Sequence, residues 1–207
     1  AGVRTRQSTV GLFTVVKKVH YVESQRHIDL RLVFDERVPN QLWQSPPWMG
    51  LAGAGALSAL DLSHLRQPDG SQGHEAHLAL ATGDLPNYYF HLLLPPELAE
   101  WFVLPDVDLG EVVAELRKFG FHDTATRMWA EGDHCHASGV GLRVPVMGWN
   151  WAVFLAQSFH VDLLLRVPST FPSSRLAQTI SRDRLLMEGA PPPRLSSSEP
   201  FFFYVYI

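Results

Sequence analysis

Cysteine is the scarcest reactive group in this chain: Cys135 stands alone among 207 residues. That excludes an intramolecular disulfide framework and a cysteine-rich zinc module, and it fits a reducing compartment. No apolar run approaches the roughly 20 residues a membrane helix needs, so no membrane partner is expected. An excess of positive charge is missing too, since 17 Lys and Arg stand against 21 Asp and Glu for a formal charge of -4. Any nucleic-acid partner therefore has to be argued from a site rather than from bulk electrostatics. The chain opens on Ala1 with no charged-then-apolar leader, so an intracellular setting, cytoplasmic or nuclear and not secreted, is expected, and the chain reads as a piece of something longer. What is present is enough apolar material for a core. With 46% hydrophobic and only 18% charged residues, the chain is no disordered tail, and its length suits one large domain or two small ones.

Residues 9–19 read as a strand rich in Val, Thr and Phe that ends in Lys17 and Lys18, and residues 28–34 as a second strand with period-2 alternation at its start; the polar stretch 23–27 between them reads as a hairpin loop. Pro39, Pro46 and Pro47 break regular structure. The small residues 50–55 follow, with glycines spaced unlike a phosphate-binding loop. Residues 78–84 are expected to form a buried strand ending on Asp84. Pro95 and Pro96 suit the first turn of a short helix over 97–102. Asp108 is a candidate N-cap for an amphipathic helix in which Leu109, Val112, Val113 and Leu116 share a face and Gly120 ends the run. A strand over 140–147 turns sharply at Gly148 into a helix over 149–165. Ser173 or Ser174 is a candidate cap for a further helix through Met187, residues 189–193 form a stiff linker, and 201–207 form a last apolar strand. Strands and helices alternating without regular βαβ spacing predict an α+β fold.

Four of these segments, in order, resemble motifs of the polymerase domain of retroelement reverse transcriptases. Arg31-Leu32-Val33-Phe34-Asp35-Glu36-Arg37-Val38-Pro39-Asn40 looks like the fingers motif, with Lys17 and Lys18 upstream where the family has a basic strand. Asp84-Leu85-Pro86-Asn87-Tyr88-Tyr89 is similar to motif A, an Asp followed five positions on by an aromatic. Pro145-Val146-Met147-Gly148-Trp149 with Phe154 and Gln157 is similar to motif B. Tyr204-Val205-Tyr206-Ile207 looks like the start of Tyr-x-Asp-Asp, motif C, cut just before its aspartates.

The resemblance implies a right-hand polymerase fold, α+β, in which residues 1–75 are fingers-like and 76–207 a truncated palm with fingers insertions. The palm would be a ferredoxin-like sheet backed by helices, with the thumb absent. It implies RNA-directed DNA polymerase activity on a primer-template with deoxynucleoside triphosphates. The reaction is nucleotidyl transfer to a primer 3′-hydroxyl with two Mg²⁺ (or Mn²⁺) ions about 4 Å apart. Asp84 is the implied catalytic residue and metal ligand, joined by the carbonyl of Leu85. Lys18 and Arg31 would neutralise the triphosphate, Tyr88 and Tyr89 would face the sugar, and Met147 and Gly148 would border the nucleotide. Arg37, Asn40 and Gln157 are the implied template and primer contacts. Pro86, Asn87 and Tyr88 depart from the family pattern, which leaves divergence and decay both open.

Each residue also has a plainer reading. Asp84 alone is an exposed loop carboxylate, Tyr89 a core aromatic, Arg31 a strand arginine paired with Asp29 or Asp35, and Gln157 a helix-surface amide. His122, Asp123, Asp133, His134, Cys135 and His136 hold zinc-binding chemistry, but adjacent loop residues rarely converge on one ion, and a solvated loop is the expectation. The competing function is a catalytically dead remnant of such an element that at most binds nucleic acid or protein. Lacking the motif C aspartates, the 207 residues alone are expected not to polymerise.

Overall fold

The structure, a computed structural model, describes residues 2–3, 7–63, 79–131, 139–174, 179–196 and 199–206. It is α+β, and the chain divides into two compact units, Ala1–Pro46 with Asn87–Val153 and Pro47–Pro86 with Phe154–Ile207.

In the first unit, β1 (Gly2–Val3) and β4 (Val103–Leu104) flank β5 (Gly139–Gly141) in a small antiparallel sheet. β2 (Gly11–Val22) and β3 (Gln25–Asp35) form a long hairpin. Its loop is shorter than expected, because Glu23 and Ser24 both take positive φ (49° and 66°) and close a two-residue turn whose twist matches the strands. A bulge leaves Lys17 unpaired between the pairs Val16–Leu30 and Lys18–Asp29. Since direct cross-strand partners share a face, the ribbon has one face with Val15, Lys18, Asp29 and Arg31 and another that is almost wholly apolar.

α1 (Arg37–Leu42) carries Pro39 in its first turn, where a missing N–H is tolerated, so this proline sits inside a helix rather than ending regular structure. The Asp108 carboxylate caps α3 (Leu109–Lys118) by accepting from the Gly110 amide at 2.7 Å and the Glu111 amide at 3.2 Å. Gly120 ends it at φ +83°, with the Phe121 amide returning to the Leu116 carbonyl at 2.8 Å. His122 and Asp123 open a further helix, α4 (His122–Glu131), which corrects the loop expected there. Leu109, Val113, Ala125 and Val140 form the core between these elements. A second cluster joins Trp43, Trp101, Phe102 and Trp149 edge to face, with centroids 4.9–5.5 Å apart.

The second unit holds α2 (Ala54–Ser58) and most of α5 (Asn150–Thr170), which starts in the first unit and is longer than the expected 149–165. Gly50 is glycine because a Cβ there would strike the Glu188 carbonyl, and Gly189 (φ +74°) because one would enter the Trp48 ring.

Four expected elements differ. Residues 79–84 form no strand and are exposed: Ala-Leu-Ala-Thr-Gly has little β-preference, and no described segment pairs with it; Leu78 lies outside the described residues. Among the described residues of 201–207, only Phe203 pairs, in a single parallel bridge to Leu185, while the Val205 carbonyl is taken by the Gln157 side chain. The strand expected over 140–147 is confined to Gly139–Gly141. The expected helix through Met187 is, where described, a 3₁₀ turn, Arg182–Arg184, whose Arg184 guanidinium donates to the Arg194 carbonyl at 2.8 Å and pairs with the Glu199 carboxylate. The ferredoxin-like palm sheet is therefore not formed among the described residues of the second unit. No helix among the described residues is long and apolar enough to cross a membrane.

Candidate active site

Local backbone geometry at Gly148 organises the site residues of the first unit. Gly148 adopts φ +112°, and a Cβ there would press on Glu36 Cγ and the Phe34 carbonyl oxygen, both at 3.4 Å. Asn40 clamps the same turn from α1. Its Nδ2 donates to the Gly148 carbonyl and its Oδ1 accepts from the Asn150 amide, each at 2.8 Å, so a side chain from the fingers-like motif caps the helix of the motif B-like segment. Asn40 is thus engaged by this turn.

Glu36 lies beneath it, 3% exposed, and neither carboxyl oxygen has a hydrogen-bond partner among the described residues. Burial, and secondarily the negative charge of Asp35, pushes its pKa up to about 7. Asp35 behaves oppositely: hydrogen bonds from Arg37 (Nε at 2.8 Å, Nη2 at 2.5 Å) hold it down to about 2. Arg37 is consequently an exposed partner of Asp35.

Lys18 and Arg31 are exposed on one face of the ribbon. The bulge decides this, because Lys18 lies three residues from Val15, the partner of Arg31, and in a regular strand with Lys17 paired it would point to the opposite side. Asp29 is the direct cross-strand neighbour of Lys18, so the plainer reading of Arg31, a pair with Asp29 or Asp35, competes with that lysine and with Arg37. Tyr88 and Tyr89 are half-buried in a 3₁₀ turn, Tyr88–His91, that opens on Asn87 in the left-handed region (φ 56°), and burial raises both phenol pKa values. Met147 is exposed beside the Gly148 turn.

In the second unit a cavity of about 740 Å³ is lined by Asp84, Thr82, His160, Tyr204, Val205 and Tyr206 among others. Asp84 lines it and is exposed, and Leu85 next to it is exposed as well. Gln157 of α5 is 1% exposed and donates from Nε2 to the Val205 carbonyl at 2.9 Å. It is therefore neither a helix-surface amide nor open to a template; it holds the cavity wall. Asp84, His160 of α5 and residues 204–206 thus line one cavity of the second unit.

Two residues escaped sequence reasoning. Glu36 sits in an Asp-Glu-Arg run that reads as solvated surface, and no local signal marks its burial. His160, whose pKa burial lowers, follows Gln157 by three residues, a spacing that does place it on the same helix face. For metal binding, the described residues contain no group of three or more His, Cys, Asp or Glu. Asp84 is the one carboxylate among the described residues that line the cavity. Asp133, His134, Cys135 and His136 of the zinc-like cluster lie outside the described residues. Compared with protein families, curated proteins and solved structures, the chain matches none.

Proposed function

We propose that this chain is the fingers and palm portion of an RNA-directed DNA polymerase of a retroelement, working inside the cell on a primer-template and deoxynucleoside triphosphates. The observation that carries the reading is that Asp84 and residues 204–206 line one cavity, with Gln157 of α5 donating to the Val205 carbonyl behind its wall. The Asn40 clamp on Gly148 supports it by tying the fingers-like motif to the turn before α5.

In this reading Asp84 and the Leu85 carbonyl would hold Mg²⁺, which supplies charge neutralisation at the reacting phosphate. Arg31 and Lys18 present two cations on one ribbon face, which in this reading would neutralise the triphosphate. Tyr89, in its 3₁₀ turn, would be the ring against which a sugar is selected by shape. Gln157 acts as a positioning residue by fixing Val205 in the cavity wall.

The test is primer extension by the reading frame carried through two aspartates and a thumb, on an RNA template with Mg²⁺. Deoxynucleotide incorporation is expected there, with Asp84→Asn removing nearly all turnover while primer-template affinity persists, because an amide is a poor Mg²⁺ ligand yet nearly isosteric. The 207-residue chain alone is expected to bind primer-template without extending it. Near-normal turnover in Asp84→Asn removes the assignment, and an intact extended chain that binds but never incorporates points to the non-catalytic remnant.

A further inference from the structure

We propose that the apolar face of the β2–β3 ribbon is a self-association surface on which a second copy of this chain docks. The face runs from Leu12 to Tyr21 on β2 and from Ile28 to Leu32 on β3. Its seven large apolar side chains are each between 42% and 71% exposed. A two-stranded ribbon with neither face packed is marginal in water, and an uncovered apolar patch of this extent is unusual on a chain that works alone.

Charge chooses among occupants. The one charged residue on this face is Arg26, opposite Tyr21 beside the hairpin turn, whereas Lys18, Asp29 and Arg31 lie on the other face. A nucleic acid or a charged peptide would find almost nothing to pair with here, and an apolar ribbon face with a single charge is best matched by its own kind across a twofold axis.

Area agrees. The exposed portions amount to roughly 700 Å² per copy, so two copies face to face would bury about 1,400 Å², inside the range of about 1,200–2,000 Å² for specific interfaces. The pairing is independent of the polymerase reading, since it uses none of the residues assigned to nucleotide or metal.

Sedimentation equilibrium of the 207-residue chain from about 1 to 100 µM should show a monomer-dimer equilibrium with a micromolar dissociation constant. Val16→Glu, in the middle of the face, should weaken the dimer by at least about tenfold, and Val15→Glu, on the opposite face, should leave it unchanged. Circular dichroism checks that both variants keep the hairpin. Should Val16→Glu unfold it, Leu30→Cys combined with Cys135→Ser gives a chain that a short bismaleimide should cross-link to a covalent dimer without adding charge. A chain that stays monomeric at 100 µM overturns the proposal, as does equal loss from both glutamate variants. A thiol at position 30 that is unreactive in a monomer also overturns it, since another segment of the chain then covers the face.

Discussion

Replacing Glu36 by glutamine should stabilise the protein above neutral pH and remove a pH dependence that the buried carboxyl imposes. In the folded chain its pKa rises from 4.5 to about 7, chiefly through burial and then through Asp35. Below about pH 4.5 the group is protonated in both states and exerts no effect. Between 4.5 and 7 the unfolded chain ionises while the folded chain keeps its proton, so the folded state binds more protons and stability falls as pH rises. Above 7 the loss is complete, and the shift corresponds to about 3 kcal/mol at about 1.4 kcal/mol per pH unit. Glutamine keeps the shape but brings an amide that needs an acceptor, which offsets about 1 kcal/mol of the gain. Urea denaturation at pH 8 should therefore find Glu36→Gln more stable by about 2 kcal/mol, and the difference should reverse by pH 4.5, where only the amide cost of about 1 kcal/mol remains. The difference between the two proteins cancels other titrating groups. Asp35, held at about 2 by Arg37, stabilises above the ordinary carboxylate range and loses that contribution only as pH falls from 3.8 towards 2, outside this window. If wild-type and variant stabilities run parallel from pH 4.5 to 8, or if the glutamine is the less stable at pH 8, Glu36 is not a buried acid and the packing described around Gly148 is wrong.

Asn40→Ala leaves the Gly148 carbonyl and the Asn150 amide without their 2.8 Å partners, and thermal or urea unfolding should show a loss of about 1–3 kcal/mol. Arg37→Ala, which removes only an exposed pair with Asp35, should change stability little in the same assay. In the extended chain, the proposed polymerase reading expects Tyr89→Ala to raise ribonucleotide over deoxynucleotide incorporation by about tenfold or more, read from competing single-nucleotide insertions. The same effect at Tyr88 or Phe90 instead would move the sugar contact to that residue.

The elements legible in the sequence are those whose causes lie within a few residues. Asp108 caps α3 through the amides two and three positions on, and Gly120 ends it because the left-handed turn needs no Cβ. The β2–β3 hairpin follows from two β-prone runs around a polar turn, and the break at Gly148 follows from its positive φ. Even so, the bulge at Lys17, which puts Lys18 and Arg31 on one face, had no local signature. Where the partner is distant in the chain, only the tertiary structure could decide. Asn40 meets Gly148 and Asn150 across 108 and 110 residues, and Gln157 meets Val205 across 48. These contacts turn an expected template residue into a helix cap and an expected surface amide into a buried brace. The strands expected over 78–84 and 201–207 were read from hydrophobic runs, but a strand exists only when another backbone answers its hydrogen bonds; in the described residues that answer is one bridge at Phe203. Glu36 marks the same boundary: a carboxylate between an aspartate and an arginine is solvated unless the fold packs a glycine turn over it, and that turn is supplied more than 100 residues away.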